Sequence, residues 1–417
     1  MIFVYTDKDT PRLQFVLRHI FVRTLRGQYL TTENREEYLN SSEPGICYSA
    51  EYIGRGVWIE RKKEDPLMWV FSLLAREEEL LGPFDMHGRY IPEASCLSKD
   101  GLLERPVVDE YAMRLRMQIL SEYPGYLGLP GRTAKIVLTH DIDHPFLYRN
   151  KGILLTTYGV IRDVLKGNTS TLKDRLYTLL HLREDPYFCF DDLSSLYKGG
   201  NLKPKFFIHV GPYGRYDRKY LYPSFRYRQF LRELAKRYEM GLHPSYASQS
   251  KPGQIMAEKK RLERWIASKL ITESRQHYLC FRIPQTPRAL LASGITQDYS
   301  LGYSTRLGFR AGTCIPFPYY DLEQEKETAL ILHPLVAMDV TLQRDFHLSP
   351  QRAEEKIKDL WQKTKEVGGD FTLLFHNSSL TESGDWKGWS KMYARVVHYL
   401  QMEQAQIKIE TNNKTDK

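Results

Sequence analysis

Downstream of Gly131, short apolar stretches alternate with longer amphipathic ones. A brief apolar run suits a strand buried on both faces, and an amphipathic segment suits a helix packed on the sheet. The alternation therefore predicts βα units and parallel strands. The expected strands are Lys135 to Thr139, Lys205 to Val210, Met240 to Leu242, Tyr278 to Phe281, Ala329 to Leu332 and Phe371 to Phe375. Helical spacing gathers Phe230, Leu231, Leu234 and Tyr238 on one face, Leu262, Trp265 and Ile266 on a second, and Ile357, Leu360, Trp361 and Thr364 on a third. The third helix is well punctuated, with Ser349 as N-cap, Pro350 in the first turn and Gly368-Gly369 at the exit. A helix from Trp386 to Leu400, burying Trp389, Tyr393, Val396, Val397 and Leu400, closes the pattern.

Prolines and glycines crowd the stretch from Tyr123 to Gly131, so the chain is divided there. Residues 1–130 read as a mixed α/β domain, with strands at Ile2 to Tyr5 and Gly56 to Glu60 and a helix from Pro66 to Leu81. Residues 131–410 form the βα array, and the polar residues 411–417 are expected to fray. The cluster Asp85-Met-His-Gly-Arg-Tyr90 reads as a turn packed on the next domain or as part of a ligand site.

The chain of 417 residues is long enough for two or three domains and shows no repeat. Its five cysteines, at 47, 96, 189, 280 and 314, are scattered without zinc-finger spacing, which argues against disulfides and structural zinc. The formal charge of +9 is spread out, and Lys259, Lys260, Arg261 and Arg264 read as a solvated helix face, so nucleic acid is not expected as a partner. Charges at Asp7, Lys8, Asp9, Arg12, Arg18 and Arg23 interrupt any signal peptide or membrane span at the start, so a cytoplasmic protein is expected.

Polar residues follow the expected strands: His140-Asp-Ile-Asp-His144, His243-Pro-Ser245 and His376-Asn-Ser378. In a parallel β/α barrel the C-terminal strand ends share one face, so these groups converge on one site. Asp141 and Asp143 point broadly the same way if the strand continues, and two such carboxylates call for a divalent cation. One can bind the metal while the other takes a proton from water. His243 can add an imidazole ligand and His376 a general acid. Taken singly, each is as readily a cap, a turn or a structural histidine.

These motifs resemble those of the polysaccharide deacetylases, the NodB-homology group of carbohydrate esterase family four. Leu138-Thr-His-Asp-Ile-Asp143 is similar to the family's first motif, Gly241-Leu-His-Pro-Ser-Tyr-Ala247 to its histidine motif and Leu373-Leu-Phe-His376 to its late motif. Pro204 to Gly211 looks like its second barrel strand. Arg275 to Leu279, Asp298 to Tyr303 and Gly308 to Thr313 are similar to a bacterial subgroup with a preceding α/β domain.

The resemblance implies a distorted parallel β/α barrel, preceded by a smaller mixed α/β domain, and a zinc or similar divalent ion. It implies hydrolysis of the acetamide of an N-acetylated sugar or polysaccharide precursor, with Asp141 as base, His376 as acid, and Asp143 and His243 on the metal. The second histidine of the family motif is replaced by Ala247, which leaves His277 or His144 to complete the metal site, His277 being favoured. The arginine that orients the base is Arg275 or Arg282, with Arg275 favoured; Asp298 and Arg310 are candidate substrate contacts, or an internal salt bridge. Two other readings stay open: a hydrolase of a non-sugar amide, and a non-catalytic glycan-binding module using aromatic loops such as Phe317-Pro-Tyr-Tyr320.

Overall fold

A computed structural model describes residues 1–217, 225–251, 253–267 and 270–415. The first strands, β1 (Ile2–Thr6), β2 (Tyr29–Thr32), β3 (Gly45–Ser49) and β4 (Val57–Glu60), form a parallel sheet in the order β2-β1-β3-β4. The second sheet has nine strands: β5 (Lys135–Ile142), β6 (Lys205–His209), β7 (Glu239–His243), β8 (Glu273–Ser274), β9 (Gln297–Leu301), β10 (Phe317–Asp321), β11 (Lys326–Pro334), β12 (Ala337–Met338) and β13 (Asp370–His376).

Their order is β10-β11-β9-β8-β7-β6-β5-β13-β12, and only the β10–β11 hairpin is antiparallel. Among the described residues no ladder joins β12 to β10, so the sheet is a curled half-barrel. Its strands are buried on both faces because helices such as Gln254–Ile266 and Pro350–Glu366 cover the outside. One continuous apolar core runs from Ile2, Val4 and Ile46 of the first sheet through Phe71 and Val108 to Leu138, Leu242 and Phe371 of the second. Among the described residues no helix is long and apolar enough to cross a membrane.

The helix Pro350–Glu366 starts and ends where its caps require: the Ser349 side chain accepts from the Arg352 N–H, and Gly368 takes φ +67° just past the end. Elsewhere tertiary structure overrides local pattern. Tyr278 to Phe281 is not a strand. The strand there is the two-residue β8, after which Tyr278 and Leu279 take left-handed φ values of 60° and 53° in a tight turn that buries Leu279, Cys280 and Phe281 and leaves Tyr278 exposed. The helix expected from Pro66 to Leu81 stops at Ala75, since Arg76 turns left-handed with φ 56° and folds its guanidinium onto Glu79. The last helix runs Trp389–Thr415 and so continues through residues 411–415, while 416 and 417 lie outside the described residues.

Candidate functional site

Strand register assembles the site at the C-terminal ends of the half-barrel. His376 of β13 lies opposite Asp141 of β5, and His209 of β6 lies opposite His243 of β7. Asp143 follows β5, and the turn after β8 swings His277 inward, its backbone N–H donating to the Pro244 carbonyl. Asp141, Asp143, His243, His277 and His376 all line one cleft of about 430 Å³. That volume falls in the range of small-molecule sites.

Ring-nitrogen partners fix the tautomers. A carbonyl can only accept, so His243 Nδ1, 2.7 Å from the Arg275 carbonyl, carries a hydrogen and leaves the Nε2 lone pair facing the cleft. That lone pair sits 3.1 Å from Asp143 Oδ1, yet neither buried atom has a hydrogen-bond partner. Two electron-rich atoms held this close repel unless a cation or proton lies between them. His277 repeats the arrangement, with Nδ1 3.4 Å from Asp217 Oδ1 and Nε2 3.6 Å from Asp143 Oδ1. Each histidine is thus anchored through one nitrogen and presents the other, as metal-binding histidines do. The donor atoms of Asp143, His243 and His277 lie within 4.8 Å of one another, so this triad could hold a metal ion.

The electrostatics agree. Burial raises the Asp143 pKa, but His277, His243 and His376 outweigh it and hold the carboxyl well below its ordinary range. Burial disfavours a charged His277, yet Asp143 and Asp217 raise its pKa to about 9. The triad demands positive charge, and a proton on His277 satisfies it when no cation does.

Two further pairs flank the triad. Arg275 is fully buried, stacks over the Phe207 ring at 4.7 Å, and reaches Asp141 Oδ1 at 3.2 Å and Thr139 Oγ1 at 2.7 Å. Arg282 instead lies over the Phe84 ring, 4.4 Å away. His376 Nδ1 is 2.8 Å from Asp339 Oδ1, and Asp339 Oδ2 accepts the His376 backbone N–H at 2.7 Å. Burial lowers the His376 pKa, but Asp339, with Asp143 and Asp141 behind it, raises it to about 10.

The other candidate residues stand apart. His144 is outside the group whose donor atoms converge, and its carbonyl accepts from Asn377 Nδ2. Asp298 and Arg310 do not border the cleft, contrary to the expectation of substrate contact. Asp298 braces β8 against β9 through Ser274 Oγ at 2.6 Å and the Ser300 N–H at 2.8 Å, and burial raises its pKa to about 6. Arg310 is clamped by Glu79 of the N-terminal part at 2.8 and 2.6 Å, so its salt bridge is with Glu79 and not with Asp298.

Sequence reasoning missed Asp339, Asp217 and His209. Asp339 follows the two-residue β12, a strand too short to show a pattern, although the apolar run Leu335 to Met338 before an acid was a usable signal. Asp217 accepts the N–H groups of Tyr246 (2.6 Å) and Ala247 (3.1 Å), and so braces the very loop where the second histidine is lacking. His209 donates from Nδ1 to the His243 carbonyl and leaves a partnerless Nε2 3.8 Å from Asp217. His87 and Arg89, from the cluster between Asp85 and Tyr90, also line the cleft.

A family model of unknown function, DUF7033, matches residues 2–64 and 60–124. No curated protein matches the chain at a significant level. Among solved structures, the chain is similar to a protein assigned as a polysaccharide deacetylase from Mycobacterium smegmatis (TM-score 0.42, 15% identity, 68% of this chain and 92% of that one). A protein from Pseudomonas aeruginosa PAO1 with the same assignment gives TM-score 0.40 and 12% identity over 64% and 85% of the two chains. A 4-alpha-glucanotransferase from Thermococcus litoralis gives 0.38 and 11% over 65% and 38%.

Proposed function

We propose that this chain is a divalent-metal hydrolase that removes the acetyl group from an N-acetylated sugar or polysaccharide precursor. The observation that carries the proposal is the pair of partnerless lone pairs on His243 Nε2 and Asp143 Oδ1, 3.1 Å apart inside the cleft. Asp143, His243 and His277 would hold the ion, for which zinc suits a donor set of nitrogen and carboxylate oxygen. Such an ion supplies a Lewis acid for the acyl carbonyl and makes water more acidic.

The protein's own groups do the rest. Arg275 pins one oxygen of Asp141, which orients the carboxylate to accept a proton from the attacking water. His376, its Nδ1–H fixed on Asp339, turns its other nitrogen towards the cleft, 3.9 Å from Asp143 Oδ2. Held protonated by Asp339, it delivers a proton to the departing nitrogen, so that amide and water become acetate and a free amine.

The test is metal content together with acetate release from a panel of N-acetyl sugars. Bound zinc, nickel or cobalt near one per chain, lost in both Asp143→Ala and His243→Ala, is expected along with acetate release. A parent protein that binds no metal even after reconstitution would remove the basis for this reaction.

A further inference from the structure

We propose that the outward face of the helix pair Ile153–Leu165 and Thr169–Leu179 docks on an anionic lipid bilayer. The pair is built inside out. The residues it buries are polar or small, namely Gly159, Asp163, Arg175 and Thr178, with Arg175 Nε 2.8 Å from Asp163 Oδ2. Gly159 leaves room for the guanidinium, since a Cβ there would stand 2.6 Å from Arg175 Nη1 and push it aside. The side chains turned to solvent are instead large and apolar: Ile153 (86% exposed), Leu154 (80%), Val164 (57%), Leu165 (81%), Leu180 (66%) and Leu182 (71%). A helix pair made for water shows the reverse arrangement, and a contiguous apolar patch marks contact with a partner or a membrane.

Charge selects the bilayer. Between Lys151 and Arg183 the chain carries six Lys or Arg against two Asp, and with the buried pair Arg175–Asp163 set aside, five cations stand against Asp174. A second copy of the chain meeting this face across a two-fold axis would set cation against cation. An anionic bilayer accepts both, the acyl boundary taking the apolar side chains and the headgroups the basic rim. At about 1.5 Å per residue, a helix of this length covers about 20 Å, short of the ~30 Å hydrocarbon core, so it lies in the interface without spanning it. The connection bearing the pair leaves β5 just past Asp143 and returns to the cleft at Tyr187, one of its lining residues. The docking face thus belongs to the β5–β6 connection that also carries Asp143 and Tyr187 of the cleft, although its existence does not depend on the hydrolytic reading.

The experiment is co-sedimentation of the full chain with phosphatidylcholine vesicles and with equal mixtures of phosphatidylcholine and phosphatidylglycerol. The parent protein is expected to bind the anionic vesicles more tightly. Leu165→Glu and Ile153→Glu should each weaken that binding at least about tenfold, and Lys166→Gln about fivefold, with the loss shrinking as salt rises. These positions are exposed, so circular dichroism and metal content should stay at parent values, whatever the cleft catalyses. Equal binding by the parent and the two Glu variants, or no binding by the parent, overturns the proposal. So does a parent dimer that Leu165→Glu converts to monomer, which would assign the face to a second copy.

Discussion

Glu79→Gln tests how the N-terminal part of the chain is joined to the half-barrel. Glu79, 1% exposed, accepts from Arg76 Nε at 2.8 Å and from Arg310 Nε and Nη2 at 2.8 and 2.6 Å, and both arginines are buried. Arg76 keeps Glu78 in the variant, but Arg310 loses its carboxylate and keeps neutral acceptors, the carbonyls of Gly302 and Phe281 and the amide oxygen that the substitution introduces. A buried guanidinium stripped of its carboxylate costs about 3–5 kcal/mol, far more than the 0–1 kcal/mol typical of an exposed pair. The exposed Arg352–Glu355 pair, with side chains 74% and 55% accessible, is the control, and Glu355→Gln should change stability by less than about 1 kcal/mol.

Urea unfolding followed by tryptophan fluorescence measures both. Combining Glu79→Gln with Arg310→Met should cost less than the sum of the single changes, because the second removes the charge that the first leaves unpaired. Burial pushes the Glu79 pKa up, but Arg310 and Arg76 hold it below the ordinary glutamate value. With the folded pKa depressed, the carboxylate's contribution is present at neutral pH and is lost as pH falls through that folded pKa. A loss near 1 kcal/mol for Glu79→Gln, or strict additivity in the double variant, would refute the reasoning.

Four further outcomes follow from the cleft and its surroundings. Asp141→Asn should keep the bound metal yet lower acetate release by about 10²–10⁴, measured by turnover beside metal content. Asp339→Asn sets an amide N–H against either His376 Nδ1–H or the backbone N–H that Asp339 now accepts, so turnover should fall by a similar factor with metal retained; unchanged turnover would remove His376 from the proton path. Stripping the ion with a chelator should lower thermal stability, by about 4 kcal/mol where the ion had been present at a thousand times its Kd, with calorimetry as the readout.

The fourth concerns His140, which donates from Nδ1 to the Phe375 carbonyl and accepts at Nε2 from Tyr393. Burial lowers its pKa from 6.5 to about 4, so the unfolded chain binds more protons within that window and stability falls as pH drops through it, by about 3 kcal/mol in all. His140→Gln should remove most of that dependence, as read from urea midpoints across the window.

The order of the strands in the sheet came only from the structure, and the pattern of short apolar runs misled at Tyr278 to Phe281. Strands β5, β6, β7, β11 and β13 and the chemistry at the ends of β5, β7 and β13 were written in the sequence, because short apolar runs between amphipathic stretches suit strands buried on both faces, and polar residues just past parallel strands meet at one rim. Asp141, Asp143, His243 and His376 were legible for that reason. The choice between His277 and His144, and between Arg275 and Arg282, was not, since both alternatives share residue type and neighbourhood. Geometry separates them: the left-handed turn at Tyr278 sends His277 into the cleft, and Arg275 lies under Asp141 while Arg282 stacks on Phe84.

The roles of Asp339 and Asp217 could not be read, although an apolar run before Asp339 marks its place, because they are hydrogen bonds to residues 37 and 60 positions away, a pairing that only the curl of the sheet creates. The reversed polarity of the helix pair after β5 was hidden likewise. Periodicity shows that a helix has two faces, but only tertiary packing decides which face turns inward, and here the inward seam is polar and holds a buried ion pair.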